Sequence, residues 1–302
     1  MLPSTTAVVP AAAWQPAAAD HARRADALTA TWRASRDRGE KHAIEDFLFS
    51  YYPTRVSHLR RWHPGVGRAL AGDGTGAAET DLADRSTWRW YARLPDATVA
   101  LDADAFVAER GGTVHRVRAL LVATAGRPGH FGCFGLHEWA MVYKDRAAGR
   151  DQRHPLPLRL GHEGTDAVLE QHPVRCSHFD AFRFFTPEAR DHNQWRPTRE
   201  NQPATEQAGC LHAGMDLYKW ATKLSPAVPG GLLLDCFELA RDIRYLDMRA
   251  SPYDVSSYGL DAVPIETASG KAEYVRSQRE FAERGQALRV RLVEVCDRLP
   301  LI

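Results

Sequence analysis

The sequence predicts a mainly α protein: a helical, bundle-like single domain with a few short β-strands in the middle of the chain. Three observations lead there. Apolar residues recur at spacings of three and four from Leu232 to Met248 (Leu233, Cys236, Phe237, Ala240, Ile243, Leu246), the period of a buried helix. Other helical stripes occupy much of the remaining chain, and strand-like runs are short and central. With 302 residues, 25% charged and 44% hydrophobic, the chain has the size and composition of a globular protein with a large core.

Taken in order, residues 1–18 are rich in Ala and Pro and are expected to form a loose arm, leaving 19–302 as the domain. A helix is expected from Asp20 to Arg38, and a second from His42 to Tyr52 that stops at Pro53. Residues 65–86, rich in Gly, Ala and Asp, are expected to be a loop. Trp88–Leu94 and Thr98–Leu101 suit short strands, and Asp102 starts a helix to Ala125 interrupted at Gly111-Gly112. The glycine-rich run before Leu136 lacks the Lys-Ser/Thr of a phosphate loop and predicts no nucleotide cradle. Leu156–Leu160 suits a strand, and Thr165 is placed to cap a brief helix. Val174–Phe185 is expected to be a strand, followed by helices at 205–224, 232–248 and 271–299.

A net charge of +1 offers no global field for nucleic acid, so contact with duplex DNA would need a local basic patch. Arg55 to His63, with Trp62, is one such basic and aromatic stretch; an ordinary core is its other reading. Five widely spaced cysteines with no C-x-x-C pair suggest reduced thiols and a cytoplasmic location. The apolar start is broken by Pro3 and Pro10 and lacks a basic region, so no signal peptide is expected. No run has the length of a membrane span, so no membrane partner is expected either.

Chemistry concentrates in three places. On a strand, Cys176, His178 and Asp180 would share one face, amid Phe179, Phe182, Phe184 and Phe185. Thiolate, imidazole and carboxylate together suit zinc or iron, with Cys176, His178 and His212 as ligands; core packing and salt bridging are the alternative. His137 and Glu138 are neighbours on a helix, diverge by about 100°, and so are not expected to share a site. Asp235, Glu238 and Asp242 stack on one helix face with Arg241, Arg244 and Arg249 nearby. That face is either a charge network or the seat of a base with a raised pKa. The expectation joining these is that residues 176–180, the region of 212, and 235–242 converge on one cavity.

The stretches F-G-L-H-E-W-A-M-V-Y, R-C-S-H-F-D-A-F-R-F-F-T, G-C-L-H-A-G-M-D-L-Y-K-W and D-C-F-E-L-A-R-D-I-R-Y-L-D-M-R-A-S-P-Y-D complete the pattern. From H-A-I-E-D-F-L-F-S-Y-Y onward the chain resembles a bacterial family usually labelled 3-methyladenine DNA glycosylase. The resemblance implies a DNA-repair hydrolase that flips out an alkylated base and stacks it on aromatic rings. Phe179, Phe182, Phe184 and Trp195 would stack, His137 and Arg249 would contact substrate, and Asp180, Glu238 or Asp242 would be the carboxylate that orients water. No known motif of the family assigns these roles. The rival expectations are a metal-dependent helical enzyme performing oxidation or hydrolysis on a small molecule, and a non-catalytic helical binding module.

Overall fold

The computed structural model describes residues 6–52, 54–149 and 154–301; the expected breaks at Pro3 and Pro53 lie outside the described residues. Ala7–Val9 (β1) is extended, and Pro10 turns the chain into the helix Ala11–Leu28 (α1). Residues 6–18 are therefore no loose arm. Alanine is the strongest helix former, and the start of α1 is anchored by Ala11 and Trp14, both 1% exposed. The Trp14 Nε1–H donates to Ala71 O at 2.9 Å.

Three short helices follow: Ala30–Asp37 (α2), Asp46–Ser50 (α3) and Val56–Arg60 (α4). The expected loop at 65–86 instead holds a strand, Arg68–Leu70 (β2), and a helix, Gly76–Ser86 (α5). Leu70, Ala78 and Leu82 are fully buried there, which gives those elements the apolar anchor that composition alone did not reveal. Tyr91–Arg93 (β3) and Val99–Leu101 (β4) complete a sheet of order β1-β2-β4-β3. β1 runs parallel to β2 with Val8 opposite Ala69, and the other pairings are antiparallel, with Ala69 and Ala92 both opposite Ala100. Trp14, Leu70, Leu82 and Val99 form a separate apolar cluster against the sheet. Arg85 is buried in it, 5.1 Å from the Trp14 ring, 5.5 Å from Trp62 and 4.8 Å from Trp88. Trp62 is thus used in packing, as the core reading of 55–63 anticipated.

Asp102 caps Ala103–Ala125 (α6) by accepting from Ala105 N at 2.9 Å, and α6 passes through Gly111-Gly112 without a break. Leu136–Ala140 (α7), Gly161–Glu170 (α8), Phe179–Phe182 (α9) and Gln202–Thr205 (α10) are short. Leu211–Leu224 (α11), Gly230–Ala250 (α12) and Ala268–Asp297 (α13) are long, and they pack on one another and on α6 around the main core. Cys236, Phe237, Ala240 and Ile243 on α12 are at most 1% exposed, as their spacing predicts. The fold is mainly α. Among the described residues no helix is long and apolar enough to cross a membrane.

Two expected strands are absent. Leu156–Leu160 contributes a single bridge, Leu158 to Tyr253, and Val174–Phe185 a single bridge, Val174 to Asn193, before the chain enters α9. Asn193 does the work of a neighbouring strand. Its Oδ1 accepts from Cys176 N at 2.8 Å, and its Nδ2 donates to Cys176 O at 2.9 Å. With the backbone satisfied by one side chain, the segment is free to turn, and Cys176, His178 and Asp180 no longer share a strand face.

Candidate metal centre

The site begins at the turn before α7. Gly135 has φ +71°, and a Cβ there would lie 3.3 Å from the Tyr274 ring, so the position suits glycine on both counts. That turn drives all five residues of α7 into the interior. His137 Nε2 meets Asp247 Oδ2 at 3.2 Å, and Glu138 Oε1 accepts from Arg244 Nη1 at 2.9 Å. Asp247 and Arg244 are one turn apart on α12, with Nη1 3.6 Å from Oδ2. His137 and Glu138 diverge on their own helix as expected, but a pair on the facing helix reunites them. The expectation that they could not belong to one site is corrected on that ground.

α11 supplies the next wall. His212 lies in its first turn, its ring 4.4 Å from that of His137 and nearly perpendicular to it. On the other side the His178 ring stacks on His212 at 5.3 Å. His178 is 1% exposed, yet neither ring nitrogen makes a well-formed hydrogen bond. Nε2 stands 3.4 Å from Asp216 Oδ2 and 3.8 Å from Glu206 Oε2. A buried imidazole in that condition is costly unless something else engages it. Asp216, one turn beyond His212, accepts from Tyr52 OH at 3.2 Å and from Lys219 Nζ at 2.9 Å.

Burial disfavours charge on His137, but Asp247 and then Cys133 outweigh it and hold the pKa well above the usual histidine value. Burial drives His212 the other way, reinforced by His137 and His178, so it stays neutral. Asp216 is held well below the carboxylate range: burial opposes this, and Lys219 and His178 overcome it. Burial raises the Cys176 and Cys210 thiols, and both also feel Cys133. The Cys133 Sγ lies 3.8 Å from His137 Nδ1.

One donor atom each from His137, His212 and Asp247 lies within 4.8 Å of the others, a set that could hold a metal ion. A recess of about 10 Å³, bordered by Cys133, Cys176, His212 and Gln278, adjoins them, room for about one water-sized sphere.

The expected convergence is met in part. Cys176, His178 and His212 come together with His137. Asp180 falls on the far side of Lys219, in a neighbouring cavity, held by Lys219 at 3.0 Å, Arg199 at 3.1 Å and Arg183 at 3.2 Å. The 235–242 carboxylates do not join the site and are corrected to a surface network. Arg24 binds Asp235 and Glu238 at 2.8 and 2.6 Å, and Arg284 binds Asp242 at 2.9 Å. Arg249 faces Glu273 and Asp261 O instead of any cavity. The four aromatics are dispersed. Phe179 lies under Arg199, Phe182 packs on Phe185, Phe184 is exposed beside Arg183, and Trp195 neighbours His130.

Asp247, Arg244, Glu138 and Asp216 were the groups missed as site members. A signal existed. On α12, Ala240, Arg244 and Asp247 continue the buried stripe at spacings of four and three, so the apolar face turns polar in its last two turns. His212, Asp216 and Lys219 repeat the spacing of four and three on α11, from its first turn onward.

No family model, curated protein or solved structure matches the chain.

Proposed function

We propose that this chain is a metal-dependent enzyme acting on a small molecule, with His137, His212 and Asp247 as ligands of a zinc- or iron-class ion. The observation that carries it is the approach of those three donors to within 4.8 Å of one another. Nitrogen and oxygen ligands sit about 2.0–2.2 Å from such an ion, so each donor need move by less than about 1 Å, and binding releases the proton that Asp247 favours on His137. Two histidines and a carboxylate leave positions open for a reactant, the pattern of catalytic zinc and of non-haem iron. When bound, the ion would supply a Lewis acid or a redox centre. The chain's own residues fix the ligands: Arg244 steadies Asp247, while Tyr52 and Lys219 hold Asp216 toward His178. All five cysteines are free, which supports a reducing, cytoplasmic setting.

The test is elemental analysis of untagged protein, before and after incubation with zinc or ferrous ion. About one equivalent is expected, lost in His212→Ala and Asp247→Asn. Failure of the native chain to retain either ion would end this reading.

The family resemblance supports a second reading, excision of alkylated bases from DNA. Its observation is a cavity of about 360 Å³ that sets Tyr51 and Tyr52 beside Asp180 and is also lined by Arg183, Arg199, Lys219 and Lys223, cations that suit the phosphates of a DNA strand. Release of 3-methyladenine from methylated duplex, abolished by Asp180→Asn, is the expected outcome. Absence of both metal and base release would favour the third reading, a helical binding module.

A further inference from the structure

A larger cavity of about 580 Å³ lies between α6, α10 and α11, within the range of small-ligand clefts, about 300–1,000 Å³. Its cations are Arg110, Arg116, Arg199 and Lys223, and no carboxylate lines it among the described residues. A whole-chain charge of +1 makes this concentration a local feature. Arg110, Arg116 and Lys223 have no carboxylate partner among the described residues; the arginines pair instead with neutral oxygens, Lys223 O at 3.2 Å and Thr113 Oγ1 at 3.3 Å. Among the described residues the ion pair of Arg199 is with Asp180, which is already shared with Lys219 and Arg183.

Two buried donors on this wall are unmet: Arg110 Nε and Trp220 Nε1, the latter on a side chain 7% exposed. Val117, Leu120 and Trp220 add apolar surface to the lining, and Thr113 and Gln202 add neutral polar groups. The lowered pKa of Lys223 points the same way: desolvation is its first cause, and Lys219, Arg110 and Arg199 act with it against the opposing pull of Asp216.

We propose that this cavity binds a small phosphate ester, its phosphate between Arg110, Arg199 and Lys223 and its apolar body against Val117, Leu120 and Trp220. Arginine forks and an ammonium group suit phosphate oxygens, and a ligand oxygen would complete the Trp220 N–H. A recessed cavity with an apolar floor fits a small ester better than a continuous nucleic-acid backbone, which is gripped along an open groove. The site is separate from His137, His212 and Asp247 and stands whether or not a metal binds there.

The experiment is titration of the full chain with phenyl phosphate, followed by calorimetry and tryptophan fluorescence, with inorganic phosphate and a short DNA duplex in parallel. Phenyl phosphate is expected to bind at least tenfold more tightly than inorganic phosphate and to perturb tryptophan emission. Lys223→Gln and Arg110→Gln, with circular dichroism unchanged, are each expected to weaken it about tenfold. Equal affinity for inorganic phosphate, unchanged affinity in both variants, or duplex binding that phenyl phosphate does not displace would overturn the proposal.

Discussion

Glu138 and Arg244 form an ion pair at 2.9 Å with side chains only 3% and 2% exposed, and the same guanidinium reaches Asp247. Removing one member of such a pair strands the other charge in the core, which costs about 3–5 kcal/mol, whereas replacing both with apolar groups is far milder. Arg244→Met is expected to lower unfolding free energy by that amount in urea. Glu138→Met combined with Arg244→Met is expected to recover a large part of it, although Asp247 keeps the recovery incomplete.

Lys219 ties Asp180 to Asp216, 3.0 Å from one and 2.9 Å from the other. Lys219→Met is expected to cost about 2–3 kcal/mol at neutral pH, less than for a wholly buried pair because the ammonium is partly hydrated. Burial works against the Asp180 charge, and Lys219 overcomes it, so the folded pKa lies below the ordinary carboxylate value. A depressed carboxylate stabilises the fold above its unfolded pKa of about 3.9 and loses that contribution as pH falls. The deficit of Lys219→Met should therefore shrink below about pH 4. An undiminished deficit at pH 3 would count against the pairing.

His63 is the main acid-sensitive point beside the sheet. Its Nδ1 meets Tyr91 OH at 2.9 Å, and burial, aided by Arg85, Arg61 and His21, brings its pKa from 6.5 down to about 3. A depressed histidine leaves the unfolded chain taking up a proton first, so stability falls as pH drops from 6.5 toward 3. The slope from one such group is at most about 1.4 kcal/mol per pH unit. His63→Asn should flatten that limb, measured as unfolding midpoints from pH 7 to pH 4.

Glu238→Gln and Asp242→Asn touch only surface pairs with arginines. Exposed pairs contribute about 0–1 kcal/mol, so both variants should keep native stability to within that margin and keep any metal content or base-release activity. Loss of either property in Glu238→Gln would return that face to consideration as a site.

The long helices were legible because a buried helix repeats one apolar stripe, and α12 carries its stripe through Ile243 without interruption. The polar end of the same stripe, Arg244 and Asp247, was not separable from the neighbouring 235–242 carboxylates, since sequence spacing does not reveal which arginine faces which carboxylate. His178 and Cys176 were recognised as out of place, but the reason given, a shared strand face, was wrong. Asn193 bends that segment, seventeen residues distant from Cys176, and nothing local announces it. The small sheet was half legible: β3 and β4 follow from β-forming residues around a turn. β1 and β2 are three residues each and depend on pairing across the intervening sequence.

The apolar cluster against the sheet is distinct from the one that surrounds α11 and α12. Elements with a separate interior open as a separate cooperative unit. Amide hydrogens of residues 68–70, 91–93 and 99–101 should exchange with solvent deuterium together, and sooner than those of α12. The histidine cluster then keeps its geometry through excursions that leave the sheet edge transiently undone.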